Sequence, residues 1–319
     1  TIFPIAINIP QMFNSTPDNE PRKLGAYISW VAIAATCVTS SMFLTALAPN
    51  LLAVSLVEEN AGILISWGEW FSTLAIIMIP LFLLVPYLAY LVYPPEQKKS
   101  PEAPKWAAAE LEKMGPITKN ELLMLGLGVL ALVMWIFGKA IGVSSTTAAI
   151  AVLSLLVLTK VISWEDVITN KGAINVFIWF STLVAMAGGL KQVGYLDWAA
   201  GLISVWLEGL TPSVVVITLV VLFFLFHYLF ASVTAHVVAL LPLFIGIGVN
   251  LIPADMVHSL ALLLVGSLGL MGILTPYATG PSPIWYGAGY ISQATWWRLG
   301  LVFGAIYLAA LVLLGFFIL

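Results

Sequence analysis

Charge is what this 319-residue chain has least of. Asp, Glu, Lys and Arg make up 8% of it and apolar residues 61%, whereas an ordinary soluble domain is about 25% charged. So little charge excludes an ordinary soluble domain, and the absence of a basic patch excludes nucleic acid as a partner. The composition instead predicts an all-α polytopic protein of the lipid bilayer.

Reactive residues are scarce as well. The single cysteine, Cys37, lies in an apolar run, so it cannot form a disulfide within the chain. Every Asp and Glu lies at the end of an apolar run or in a loop, which removes the buried acid or base that a membrane enzyme would need. The histidines His227, His236 and His258 have no Cys, Asp or Glu near them at metal-ligand spacing. We therefore expect a protein that is not an enzyme and holds no metal and no cofactor.

Two uncharged runs are too long for single membrane helices. Residues 209–254 and 256–297 contain no charged side chain, whereas one bilayer crossing takes about 20 residues. Polar and helix-breaking residues interrupt the runs at 231–236 and 274–283. Irregular backbone at membrane depth is tolerated only where protein buries it or where it lines a watery cavity. Two such breaks favour a secondary transporter with its site near the midplane over an open channel.

The two halves of the chain resemble each other. Pro4 lies 45 residues before Pro49, and Pro242 lies 39 residues before Pro281. The second proline of each pair falls in an interrupted apolar run, which predicts an inverted-repeat transporter with a re-entrant hairpin and interrupted helices. The chain starts at Thr1 without a methionine, and we expect it to be N-terminally truncated and to lack the first hairpin tip. The predicted divisions are 1–93 (end of the first repeat), 94–119 (linker with an amphipathic helix) and 120–319 (second repeat, with a hairpin at about 211–249, a broken helix at about 254–290 and a last helix at 297–319).

The linker sets the predicted orientation in the membrane. Residues 94–119 hold five of the twelve basic residues, and basic loops stay on the cytoplasmic side. We expect a short surface helix at 105–114, a loop at Glu58 and Glu59 on the outer side, and the C-terminus outside.

Hydroxyl groups, amides and free helix ends are the polar groups that are cheapest to bury in a membrane. The N-terminus of a helix carries a partial positive charge and unpaired N–H groups, which suit a carboxylate without any buried Lys or Arg. The predicted substrate-binding residues are Ser232, Thr234, Thr275, Pro276, Thr279, Gly280, Pro281, Thr45, Pro49 and Asn50, with His236 and Ser41 as further candidates. Ser and Thr also serve in membrane helices as packing contacts, but their coincidence with Pro and Gly in both breaks favours binding.

Four segments resemble a known family. They are TSSMFLTALAPN (39–50), ASVTAH (231–236), LTPYATGPSPIWYGAGY (274–290) and WWRLG (296–300). They resemble the divalent anion:sodium symporter (DASS) superfamily, and within it the citrate/tartrate:succinate antiporter branch, which includes the plastid 2-oxoglutarate/malate translocator.

This resemblance covers the whole chain and implies eleven membrane segments, two re-entrant hairpins, a scaffold and a moving transport domain, and a homodimer. It implies exchange of di- or tricarboxylates (citrate, tartrate, malate, 2-oxoglutarate or succinate) by alternating access, in a bacterial inner membrane or a plastid inner envelope.

The resemblance also assigns roles to residues. Hairpin tips in the family carry Ser-Asn-Thr, which contacts substrate carboxylates and, in sodium-coupled members, a sodium ion. Ser232 and Thr234 match the outer two residues, and Val233 replaces the Asn. The loops 45–50 and 275–281 match the two sodium or substrate loops. Because Val233 lacks an amide oxygen, exchange is favoured over the alternative, a sodium-coupled dicarboxylate symporter.

Overall fold

The computed structural model describes residues 2–99 and 103–318, so residues 100–102 of the predicted linker lie outside it. In these ranges the regular structure is entirely helical. The α-helices are α1 (Ile2–Met12), α2 (Gly25–Met42), α3 (Ala48–Ala61), α4 (Trp67–Val92), α5 (Ala103–Met114), α6 (Lys119–Ile141), α7 (Ser145–Leu158), α8 (Trp164–Ile168), α9 (Lys171–Gln192), α10 (Tyr195–Ser204), α11 (Pro212–Phe226), α12 (Val233–Leu251), α13 (Ala254–Leu270), α14 (Pro281–Gly287) and α15 (Gln293–Ile318).

The helices have the dimensions of membrane segments. In the described part of the chain, seven of them are long and apolar enough to cross a bilayer. This confirms the predicted class, an all-α polytopic membrane protein.

The chain divides into two compact units. The larger consists of the described parts of Thr1–Ile65, Glu69–Glu96 and Ser181–Leu319, and the smaller of Ser66–Gly68 and the described part of Gln97–Phe180. The larger unit combines chain from both predicted repeats, so the repeats and the compact units are different divisions. The repeats stay a prediction.

The core of the larger unit lies where α2 and α13 cross. A Cβ atom on Gly269 would lie 2.4 Å from the backbone nitrogen of Ser41 and 2.6 Å from the carbonyl oxygen of Cys37. Only glycine therefore lets these two backbones touch. Helix α15 packs against the same region, where the Tyr307 hydroxyl donates to the Ala34 carbonyl oxygen at 2.8 Å. Close backbone contact through small residues is a common way to hold membrane helices together.

Several predicted boundaries need correction. Glu58 and Glu59, expected in a loop, lie in the last turns of α3, which ends at Gly62 in a left-handed conformation (φ 68°). The last helix begins at Gln293 rather than 297, because the Ser292 hydroxyl accepts the Thr295 N–H at 3.4 Å and caps the first turn.

The proline positions are also informative. Pro80 and Pro86 both lie inside the single helix α4. Pro49 and Pro281 do not interrupt a helix; each lies in the first turn of a new one, α3 and α14. The first turn tolerates proline because its N–H would have no partner there.

The smaller unit contains α6 and α7, which are joined by a short turn, together with α5 and α8. Helix α5 is the predicted surface helix, extended by two residues at its start. Ser163 caps α8, and hydrogen bonds from its hydroxyl and then its backbone N–H hold the pKa of Asp166 below the usual value. Caps of this kind fix where a short helix begins.

Candidate functional site

A helical hairpin supplies the first wall of the candidate site. Helices α11 and α12 pack against each other, and the ring of Phe223 contacts those of Phe244 at 5.3 Å and His236 at 4.3 Å. A 3₁₀ turn, His227–Leu229, leads into the tip. The two helices span Pro212–Phe226 and Val233–Leu251, and the hairpin was predicted at about 211–249.

The tip of the hairpin exposes a helix N-terminus. Ser232 has extended backbone angles (φ −159°, ψ 130°) and caps α12, with its hydroxyl accepting the Ala235 N–H at 3.4 Å. Thr234 follows in the first turn of α12. The N–H groups of a first turn have no partner within the helix and carry the positive end of its dipole. The tip is therefore suited to an anion.

The first helix break lies between α2 and α3. The backbone leaves helical geometry at Phe43 and resumes it after Leu47. Asn50 closes this break, because its buried side-chain amide donates to the carbonyl oxygens of Ser40 at 2.8 Å and Phe43 at 3.2 Å. Its predicted role in substrate binding thus competes with a structural one.

The second break lies between α13 and α14. A 3₁₀ turn, Met271–Ile273, follows α13, and α14 begins at Pro281. Ser282 closes the break by donating its hydroxyl to the Gly272 carbonyl oxygen at 3.0 Å. As in the first break, the residue after the proline bonds to a carbonyl ten residues earlier.

A buried histidine ties the hairpin to the second break. His227 Nε2 lies 3.0 Å from the carbonyl oxygen of Ala278. A carbonyl oxygen only accepts, so Nε2 carries the proton and donates. The ring of His236 lies 5.1 Å from that of His227 and is fully buried, with both nitrogens unpaired among the described residues. His236 thus packs behind the tip.

One cavity of about 370 Å³ brings the hairpin tip and both breaks together. Its lining comprises Leu47, Pro49, Ala231, Ser232, Val233, Thr234, Tyr277, Thr279, Gly280, Pro281 and Pro283. Among these lining residues none is charged, and four carry hydroxyl groups: Ser232, Thr234, Tyr277 and Thr279. The three segments that the sequence singled out thus surround a common space.

The predicted site residues divide into two groups. Six of them line the cavity: Pro49, Ser232, Thr234, Thr279, Gly280 and Pro281. The other six are absent from this lining: Thr45, Asn50, Ser41, Thr275, Pro276 and His236.

The second group has other surroundings. Thr45 is half-buried in a 3₁₀ turn, and Pro276 is buried. Ser41 is buried and its hydroxyl accepts the Leu270 N–H at 3.0 Å, which joins α2 to α13. Thr275 is buried, and its hydroxyl has no partner among the described residues. Several of these polar residues thus lie in the packing between helices.

Five lining residues were not predicted: Leu47, Ala231, Val233 as a lining residue, Tyr277 and Pro283. Tyr277 is the one with polar chemistry. It stands inside the second break, between Pro276 and Ala278, and that position was the available signal. The sequence carried no further sign of a binding role for it, because an aromatic residue in a membrane segment is commonly a packing or interfacial group.

The electrostatics of the cavity come from backbone rather than from charged side chains. The N-termini of α12 and α3 both reach it, through Ser232 to Thr234 and through Leu47 and Pro49. The α3 terminus offers fewer donors, because Pro49 has no N–H and the Asn50 N–H bonds to the Leu47 carbonyl oxygen. Over the residues that the structure describes, no three His, Cys, Asp or Glu side chains gather as metal ligands. The arrangement can bind a small anion by dipoles and hydroxyl groups.

Comparison with known proteins agrees with this architecture. The chain is 44% identical over 315 residues to L-tartrate/succinate antiporters of Shigella flexneri, Escherichia coli (strain K12) and Shigella boydii serotype 4 (strain Sb227). Each alignment covers 98% of this chain and 64% of the relative, so the chain spans just under two thirds of the length of these proteins.

A family model described as the sodium:sulfate symporter transmembrane region matches residues 1–318. This match confirms the resemblance to the DASS superfamily that the four motifs indicated. The chain therefore belongs to the family of the sodium:sulfate symporter transmembrane region.

Proposed function

We propose that this chain builds the substrate site of an antiporter that exchanges dicarboxylates of the tartrate and succinate class by alternating access. The observation that carries the proposal is the single cavity formed by one hairpin tip and two helix breaks. Relatives at 44% identity are named L-tartrate/succinate antiporters, which supports the same substrate class here.

The cavity favours carboxylates for a physical reason. A carboxylate accepts hydrogen bonds and donates none, and the α12 N-terminus with Ser232 and Thr234 offers N–H and O–H donors at the positive end of a helix. The lining holds no charged side chain that would bind the anion too firmly to release it. Charges buried in the membrane are costly, whereas helix ends are already present.

Val233 supports exchange over sodium-coupled symport. It stands between Ser232 and Thr234, and both it and its neighbours line the cavity. A valine side chain offers no oxygen to a sodium ion, which is bound by oxygen ligands. The hairpin tip therefore contributes fewer cation ligands than a tip with an amide at this position.

The family and the distribution of basic residues support a membrane location, an oligomeric state and an orientation. We place it in a bacterial inner membrane as a homodimer, with the linker 94–119 in the cytoplasm and the C-terminus outside. The basic residues of the linker support this orientation. The sequence places every Asp and Glu at the end of an apolar run or in a loop, which supports transport rather than enzymatic chemistry.

Counterflow in liposomes tests the proposal. Vesicles preloaded with succinate should take up labelled L-tartrate, and the rate should not change when choline replaces sodium outside. The uptake rates of labelled citrate, malate and 2-oxoglutarate, measured in the same way, rank these acids against L-tartrate. A steep dependence on sodium would contradict exchange, and uptake into empty vesicles at the same rate would contradict antiport.

Thr234→Ala tests the site itself. The variant should bind L-tartrate about ten- to hundredfold more weakly, because a hydrogen bond to a charged group contributes about 1.5–3 kcal/mol. Thr182→Ala is the control, since it is exposed and lies on α9, outside the cavity lining. Isothermal titration of both folded variants measures the effect, and unchanged affinity in Thr234→Ala would make this hydroxyl a packing contact only.

A further inference from the structure

Tyr277 is the one long polar side chain in the cavity lining. The other hydroxyl groups there belong to Ser232, Thr234 and Thr279. Their side chains are short, so each hydroxyl lies close to its own backbone. Tyr277 stands in the second break and is 38% exposed. Its phenol group reaches farther from the chain than a serine or threonine hydroxyl does.

One aromatic contact supports this ring, and a second supports its partner. Tyr277 meets Trp297 of α15 in an edge-to-face contact, with centroids 6.2 Å apart and planes at 68°. Trp297 in turn stacks on Tyr228, at 6.0 Å and 11°, in the turn that leads to the hairpin tip. The three rings form a row from the hairpin turn to the cavity, and a tyrosine has few rotatable bonds to order on binding.

The lining contains two kinds of polar group, helix N-termini and side-chain hydroxyls, which suit different parts of a substrate. The N-termini of α12 and α3 are donors with a positive potential, and they suit the carboxylate ends of a substrate. A phenol oxygen can both donate and accept. A substrate hydroxyl can use either function, and the phenol of Tyr277 extends farther from its backbone than the hydroxyl groups of Ser232, Thr234 and Thr279, which have the same donor and acceptor capacity.

Apart from the hydroxyl groups of Ser232, Thr234, Tyr277 and Thr279, the side chains of the lining are apolar. Leu47, Pro49, Val233, Pro281 and Pro283 present hydrocarbon to the cavity. An unsubstituted carbon chain fits against such a wall, but a hydroxylated chain would leave its hydroxyl groups unpaired there. Unpaired buried polar groups are unfavourable, so a cavity that accepts hydroxylated acids needs a polar partner along its side.

We propose that Tyr277 is a specificity-determining residue that binds the hydroxyl groups of 2-hydroxydicarboxylates and so sets the preference for tartrate-like over succinate-like substrates. This inference rests on the proposed function. It adds to that function the residue that separates the two substrate classes.

The test is Tyr277→Phe, which keeps the ring and removes only the hydroxyl. Affinity for L-tartrate should fall about three- to tenfold, the range for a hydrogen bond between neutral groups. Affinity for succinate should stay within about twofold, because succinate has no hydroxyl to lose. The ratio of the two dissociation constants, measured by isothermal titration on the purified protein, is a readout that general loosening of the fold would not move.

Tyr286→Phe is the matched control. Tyr286 lies on α14, beside the second break, and contacts Trp296 edge-on at 5.7 Å, but it is not among the lining residues. Its variant should leave both dissociation constants unchanged.

Each outcome separates the two proposals. If wild-type protein binds both acids and Tyr277→Phe leaves their ratio unchanged, or weakens both equally, only the role of Tyr277 is overturned. If wild-type protein binds neither acid, the proposed function fails, and the role of Tyr277 fails with it.

Discussion

The two helix breaks that meet at the cavity are built alike and anchored differently. In each, a proline opens the new helix, and the next residue, Asn50 or Ser282, donates to a carbonyl ten residues earlier. The first break has two bonds from one amide, to carbonyl oxygens ten and seven residues earlier, and restarts as the 14-residue α3. The second has one bond from a hydroxyl and restarts as the seven-residue α14.

The second break has fewer hydrogen bonds within its own segment, but it gains one from the hairpin. His227 of the hairpin holds its Ala278 carbonyl oxygen, a bond between residues 51 positions apart. The first break takes its closing bonds from its own segment and a further one from Trp70, whose indole N–H donates to the Ser41 carbonyl oxygen at 2.9 Å. The second break depends on the hairpin for the bond to Ala278. Helix α12 also packs against α3, so the hairpin contacts both breaks, and His227 adds a hydrogen bond to the second. The shared ten-residue closure is also what an internal repeat predicts.

The crossing of α2 and α13, from which both breaks begin, should be the most sensitive point. Gly269→Ala should lower the free energy of unfolding by about 3 kcal/mol, since overpacking typically costs 1–3 kcal/mol and here the new methyl group meets backbone atoms. Denaturation in detergent measures it. Gly128→Ala on α6, where no atom lies within 4 Å of the new Cβ, is the control and should stabilise by about 0.5–1 kcal/mol. Equal effects would show that the crossing can separate without loss.

Asn50→Ala should have the next largest effect. It leaves the carbonyl oxygens of Ser40 and Phe43 without this donor, and we expect a loss of about 2–3 kcal/mol in unfolding free energy. Asn60→Ala is the matched control, because the Asn60 amide bonds only to the Leu56 carbonyl within its own helix, at 2.8 Å. If the two variants lose the same unfolding free energy, the Asn50 amide does not hold the first break closed.

A substitution at His227 should disturb the second break without removing a hydrogen bond from the first. His227→Phe removes the donor to Ala278 and should cost about 1–3 kcal/mol, because the buried carbonyl is left unpaired. It should also weaken substrate binding, which a change in the first break need not do. His227→Gln, whose side-chain amide can replace Nε2, should recover most of the loss. Equal affinity in the Phe and Gln variants would show that the hairpin does not position the second break.

Ser282→Ala should have the smallest effect. One hydroxyl bond to the Gly272 carbonyl oxygen is removed, so unfolding free energy should fall by about 1 kcal/mol. Ser154→Ala, which removes an exposed bond to the carbonyl four residues earlier, is the control and should be nearly neutral. A larger loss for Ser282→Ala than for Asn50→Ala would reverse the ranking of the two closures.

The sequence was most informative where membrane burial restricts the choice of residue. The hairpin and the two breaks were predicted from polar residues within uncharged runs, and the cap at Ser232 lies at the tip of that hairpin. The sequence was less informative about where helices end. Glu58 and Glu59 were predicted to lie in a loop because they are charged, yet α3 continues through them and is capped by Gly62. Charge marks the end of a membrane crossing, whereas a helix can continue into water.

What the sequence by itself determined is the class of protein and the segments of its site, because a bilayer tolerates irregular backbone and hydroxyl groups only where protein or a cavity satisfies them. What only the tertiary structure decided is which side chains face the cavity. Thr275 and Thr279 belong to one break, yet Thr279 lines the cavity and Thr275 is buried. Their directions depend on the turn after α13, where Gly269 lies against the α2 backbone and Gly272 lies against the side chains of Thr279 and Cys37. A contact between segments more than 200 residues apart leaves no local pattern in the sequence.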